Sequence, residues 1–186
     1  GNGHTISGLY FNKSNSWYVG LFGCIGAEGK ISNVGVSDSY FQSSNCPYIG
    51  GVCGSNSGEL QNCSNSSTVI GKENEYRIGG VCGYNYGGTI KSCYNTASVS
   101  VTGKKVGGVC GDNYEGPITN CYYLSGTVAD GKSGIGGQKD ENGKAEKMSL
   151  EQFKSGEVAW LLNGSKSVST EESTLAWYQK LDEKDR

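Results

Sequence analysis

The sequence predicts an all-β fold: a β-helix, or solenoid, of about four coils of roughly 30 residues each, closed by a small C-terminal helical cap. Three observations predict it. The pentapeptide GGVCG recurs at Gly50–Gly54, Gly79–Gly83 and Gly107–Gly111. Around it, short runs rich in Val, Ile, Thr and Tyr alternate with Gly, Asn and Ser turns, the signature of short strands. Before about residue 148 no stretch carries helical periodicity.

The repeat units open at Tyr18, Tyr48, Arg77 and Lys105. Their first cysteines, Cys53, Cys82 and Cys110, lie 29 and 28 residues apart, and their second, Cys63, Cys93 and Cys121, lie 30 and 28 apart. A unit this short cannot bury an apolar face alone. Stacking solves the problem, with coils about 4.8 Å apart and equivalent positions piling into ladders. A propeller blade would need about 40 residues and four strands. The coils are expected over residues 1–137, followed by a polar, glycine-rich linker over 138–148.

A helical cap is expected over 149–186. Ser149 and Gln152 form a capping box, Gly156 marks a break into two short helices, and Gly164 sits where a helix stops. Leu150, Phe153, Val158, Leu161 and Leu162 can line one apolar stripe. Such a cap would cover the open strand edge of the last coil, with Trp177 from the closing LAWYQKLDEKDR packed back onto it.

Composition narrows the function classes. The chain has 186 residues, a formal net charge of −2, 31 Gly, 2 Pro, 12 Tyr, 8 Cys and one His. Near-neutral charge gives no electrostatic footprint for nucleic acid or an anionic membrane, and no apolar run is long enough to insert into a bilayer. The opening GNGHTISGLYF already reads as a turn running into a strand, which suggests a piece of a longer protein.

Four roles compete for the cysteines. Zinc sites bring ligands in pairs about two to four residues apart; no Cys pair has that spacing and His4 is the sole histidine. A nucleophile needs a base or a positive neighbour and is not needed three times over. Packing and disulfides remain. The first unit has Phe22 and Val34 where later units have their two cysteines. Apolar replacements put both registers in the interior, where a free Cys behaves as a small hydrophobe. Joint absence also fits bonds within a unit, Cys53–Cys63, Cys82–Cys93 and Cys110–Cys121, with Cys24 left to Cys46. Unpaired stacks are the first reading, disulfides the second.

The string IGGVCGYNYGGTIKSCYNTASVS resembles the GLUG motif, a repeat of large bacterial surface proteins that also occurs beside the catalytic region of bacterial IgA-cleaving metallopeptidases. The opening GNGHTISGLYF and the ending FKSGEVAWLLNG resemble segments that flank such arrays. The resemblance implies export, an extracellular or cell-surface location, and a multidomain parent with flanking domains. It brings no catalytic residues, and the HExxH of the peptidases is absent here.

Remaining motifs read as architecture first. GTVADGKS at Gly126–Ser133 matches the phosphate-loop pattern but precedes GIGGQ, which is no helix; Gly-Lys also closes earlier units at Gly71-Lys72 and Gly103-Lys104. DENG at Asp140–Gly143 lacks the further ligands of a calcium loop. Asn56, Asn85 and Asn113 share one register and suit left-handed turns or an amide ladder. Asp38, Glu59, Glu73, Glu75, Asp112 and Glu115 form no repeated acid register that would pair carboxylates.

Tyr84, Tyr86, Tyr94, Tyr114, Tyr122 and Tyr123 cluster in the last two units, and a groove of such rings could hold glycan or host protein. The expectation is therefore a non-catalytic scaffold or adhesion module, without cofactor or metal. A tyrosine-lined glycan- or protein-binding module is the alternative, and a polysaccharide-active β-helix enzyme comes third.

Overall fold

The computed structural model describes residues 1–45, 47–71, 77–100, 105–165 and 176–177. Two parallel sheets run along a β-solenoid of about four turns. Among the described residues the larger has ten strands; its main path runs through His4–Ser7, Lys30–Ser43, Glu59–Gly71, Tyr94–Asn95, Cys121–Leu124 and Ala145–Met148. The smaller has eight, including Phe22–Ile25, Cys53–Asn56, Cys82–Tyr86 and Val106–Tyr114.

Each position pairs with its equivalent one unit away, as the period requires. Cys82 lies between Cys53 and Cys110, and Leu60 between Ile31 and Ile90. Alternate residues of a strand face opposite sides, so the inward rows carry the apolar residues. Ile49, Val52, Leu60, Ile78, Val81 and Ile90 are fully buried between the sheets.

The two cysteine registers face inward from opposite sheets, and all six cysteines are buried and unpaired. Phe22 pairs with Cys53 and Val34 with Cys63, so the first coil substitutes apolar side chains in both rows. Each thiol turns to its own backbone. Cys53, Cys82 and Cys110 donate to the carbonyls of Ser55, Tyr84 and Asp112, two residues on, at 2.8, 3.4 and 3.1 Å. Cys63, Cys93 and Cys121 donate to Gln61, Lys91 and Thr119, two residues back, at 3.2, 3.3 and 3.2 Å. None of the pairs Cys53–Cys63, Cys82–Cys93 and Cys110–Cys121 is bonded in this structure. Cys24 is exposed and unpaired; Cys46 lies outside the described residues, as do Lys72 and Gly103-Lys104.

Space, not backbone twist, explains the glycines of GGVCG. A Cβ on Gly50, Gly79 or Gly107 would sit 2.3, 2.0 and 2.0 Å from the carbonyl oxygen of that unit's own first cysteine. On the second glycine it would enter a side chain from the facing sheet: Asn65 at Gly51, Asn95 at Gly80, the Tyr123 ring at Gly108, each at 2.3 Å. No side chain fits either position.

The span 138–148 holds more than a linker. Ala145–Met148 forms a strand parallel to Cys121–Leu124, with Ala145 opposite Cys121, so the coil stack extends to the edge of the cap. The capping box of Ser149 and Gln152 is present and starts α1 (Leu150–Lys154). Gly156, in the left-handed region at φ 84°, separates it from α2 (Glu157–Leu162), and Gly164 follows at φ 75°. The packing of these helices differs from a lid over the end strand. Val158, Leu162 and Phe153 pack on the outer flank of the larger sheet, against Tyr94, Tyr122 and Met148. Leu150 stays out of the stripe and is half exposed. Two hydrogen bonds tie the cap to this flank: Trp177 Nε1 to the Ser92 carbonyl at 3.2 Å, and Asn120 Nδ2 to the Leu162 carbonyl at 3.0 Å. No helix among the described residues is long and apolar enough to cross a membrane.

Candidate functional site

The six tyrosines singled out from the sequence divide among three environments. Tyr123 is fully buried in the solenoid core; its hydroxyl donates to Asp140 Oδ2 at 2.8 Å. Tyr122 and Tyr94 lie under the cap, where Tyr94 meets Phe153 and the edge of Trp177, with ring centroids 5.8 and 5.0 Å away. Tyr122 and Tyr123 therefore line no outer groove, whereas Tyr94 borders a cavity between sheet and cap together with Thr96, Phe153, Val158, Leu162 and Trp177. Only Tyr84, Tyr86 and Tyr114 remain on an outer face, that of the smaller sheet.

That face is a column. Tyr18 stacks on Tyr48 at 5.4 Å and Tyr48 on Tyr84 at 5.3 Å; Tyr84 leans on Tyr86 at 5.8 Å, and Tyr86 stacks on Tyr114 at 5.5 Å. Parallel, in-register pairing builds it: Tyr18 pairs with Tyr48, which pairs with Arg77, while Tyr86 pairs with Tyr114. Tyr18 and Tyr48 escape notice in the sequence because they open units one and two, away from the local cluster. Their shared register with Arg77 and Lys105 was the signal.

Arg77 fastens the column. Its guanidinium carbon lies 4.7 Å from the centre of the Tyr84 ring and 5.3 Å from that of Tyr48, within cation–π range. Its Nε donates to Asp112 Oδ2 at 2.8 Å, and Lys105 Nζ reaches the same oxygen at 2.6 Å. Burial pushes the Tyr84 hydroxyl up; Arg77 opposes this and Asp112 adds to it. The phenol consequently stays neutral at physiological pH.

Chemically this face differs from an aromatic platform. Near-parallel stacking, at 13° to 16° between planes, turns ring faces toward one another. Rings inside the column share their faces with neighbours, and the Arg77, Lys105 and Asp112 charges are tied together.

The remaining candidates are internal. Asn56 Nδ2 donates to Asn85 Oδ1, and Asn85 Nδ2 to Asn113 Oδ1, both at 2.8 Å, an amide ladder as the shared register suggested. A second ladder, not singled out from the sequence, runs through the larger sheet: Asn65 Nδ2 donates to Asn95 Oδ1 at 2.9 Å. Its signal was the Asn two residues after Cys63 and after Cys93. Val36 and Ile25 occupy the two ladder registers in coil one. A third, outer row occupies left-handed corners at Asn33, Asn62, Ser92 and Asn120, where Asn62 donates to Asn33 at 3.0 Å and Asn120 to Ser92 at 3.1 Å. Of the carboxylates, Asp112 is held by two cations and Glu59 pairs with Lys30 at 3.4 Å. Asp38 and Glu115 stand at left-handed positions; Glu73 and Glu75 lie outside the described residues.

Residues 74–102 match the GLUG motif. Over 59 residues the chain is 36% identical to a protein of Evansella cellulosilytica named as a Gly-rich membrane protein. That match covers 31% of this chain and only 7% of the relative's length. No solved structure matches the chain.

Proposed function

We propose that this GLUG-bearing chain is a non-catalytic scaffold module of an exported bacterial cell-surface protein, one that holds flanking domains apart. One observation carries the reading: equivalent side chains in successive coils bind one another, inside and out. Cysteines line the core rows, asparagines hydrogen-bond along their ladders, and even the exposed tyrosines stack on their counterparts. Six strand layers at about 4.8 Å give a stack roughly 24 Å tall. One module is thus a spacer unit, and longer reach would come from repetition within a parent protein. The relative's name, a membrane protein much longer than the matched segment, supports a surface setting.

A second reading is adhesion to glycan or host protein, supported by the exposure of Tyr86 and Tyr114, at 55% and 50%. Screening the purified chain against glycans and extracellular-matrix proteins, beside a Tyr84/Tyr86/Tyr114→Ala variant, separates the two. Silence across the screen is the result expected of a scaffold. Saturable binding lost in the variant would replace that reading with an adhesive one centred on the outer column.

A further inference from the structure

We propose that Tyr86 and Tyr114 are a site of oxidative cross-linking, where a dityrosine bond joins coil three to coil four. Three observations carry this. The two residues are in-register partners on neighbouring parallel strands, so their side chains start about 4.8 Å apart. Their rings stack at 5.5 Å with planes 16° apart. Both are half exposed, open to an oxidant that cannot enter the core.

Other stacked pairs among the described residues lack that combination. Arg77 lies over Tyr48 and Tyr84, and in Tyr10–Tyr40 the inner hydroxyl donates to Gln42 Oε1. The column also feeds the pair. Tyr84 and Tyr86, at 5.8 Å, allow a radical formed farther along to pass by exchange between neighbouring phenols and settle where coupling is open.

The chemistry needs a peroxide and a haem peroxidase as oxidant. Each phenol loses one electron and its hydroxyl proton. The two radicals form a carbon–carbon bond between the ring positions beside their hydroxyls. The two hydrogens displaced from those carbons return to the oxygens and restore aromaticity. Hydrogen peroxide takes up the two electrons and two protons and becomes two waters. The product lacks two hydrogen atoms relative to the starting chain. It clamps the outer edge of coils whose side chains otherwise meet only through non-covalent contacts.

The test is to treat dilute protein with a haem peroxidase and stoichiometric hydrogen peroxide, isolate the monomer, and read dityrosine fluorescence and the cross-linked tryptic peptides. Lys91 and Lys105 lie between the two tyrosines, so trypsin separates them unless they are bonded. The monomer should yield a peptide joining Tyr86 to Tyr114. Tyr86→Phe and Tyr114→Phe, which preserve the stacking, should each abolish it, while Tyr10→Phe should retain it. A monomer without that peptide, coupling confined to bonds between chains, or a peptide surviving in Tyr114→Phe would each overturn the proposal.

Discussion

Asn56 and Asn85, 29 residues apart in sequence, meet amide to amide at 2.8 Å in the fully buried core, and Asn85 repeats the contact with Asn113. Asn85 also donates to the Gly88 carbonyl at 2.6 Å. A buried polar group without a partner costs about 1–3 kcal/mol, so ladders of this kind stabilise only when complete. Asn85→Ala removes the middle rung and leaves a cavity. Denaturant unfolding should show a loss of about 2–4 kcal/mol, with a smaller loss for Asn113→Ala at the ladder's end.

The close approach behind Gly80 gives a sharper contrast. Its missing Cβ would lie 2.3 Å from both the Asn95 side chain and the Gly108 carbonyl oxygen. At Gly23, on the edge coil, the nearest atom would be Tyr18 Cβ at an ordinary 3.6 Å. Gly80→Ala should lower stability by about 3 kcal/mol or more, whereas Gly23→Ala should shift it by less than about 1 kcal/mol. Thermal melts of the two variants check this directly.

Cysteine accessibility tests the stacked-thiol core. Among the described residues Cys24 alone is an exposed thiol; Cys53, Cys63, Cys82, Cys93, Cys110 and Cys121 are buried. A thiol reagent should modify Cys24 in the native protein and reach the six only on unfolding. Cys82→Val should cost no more than about 1.5 kcal/mol and should leave Cys93 unreactive. A newly reactive Cys93 would mean that the two had been bonded.

Much of this was legible in the sequence, because a repeat exposes its own substitutions. Phe22 and Val34 revealed which way the cysteines point before any coordinates. The tyrosines were harder. Tyr122 and Tyr123 are neighbours in one strand, so period-two alternation alone sends them to opposite faces; counting them as one cluster ignored that. What buries Tyr122, in contrast, is long-range: Val158 and Leu162 arrive from the cap, and no local pattern announces it. The linker was hidden for a similar reason. Ala145–Met148 is short and polar, and pairing with Cys121–Leu124 supplies its strand character.

Alkaline pH should loosen the flank beneath the cap. Burial pushes the Tyr122 hydroxyl up to about 12, and Glu146 adds to the shift; an unperturbed tyrosine titrates near about 10. The folded chain thus holds this proton more tightly than the unfolded chain. Its contribution is fully present below pH of about 10 and is lost as pH rises toward about 12. Burial drives the Cys82 and Cys93 thiols up as well, which acts in the same direction. Urea midpoints of the wild type should fall as pH rises through this range. Tyr122→Phe should start lower, having lost the 2.7 Å bond to Asn120, and should fall less steeply.

The scaffold reading is tested most directly by pulling the chain between its termini in an optical trap. If the coils act as one body joined by core rows and amide ladders, the stack should release its length in one cooperative step, at a force lowered by Asn85→Ala and unaffected by glycans in solution. Coils that peel singly at negligible force, or a stack that resists only with a ligand bound, would contradict it.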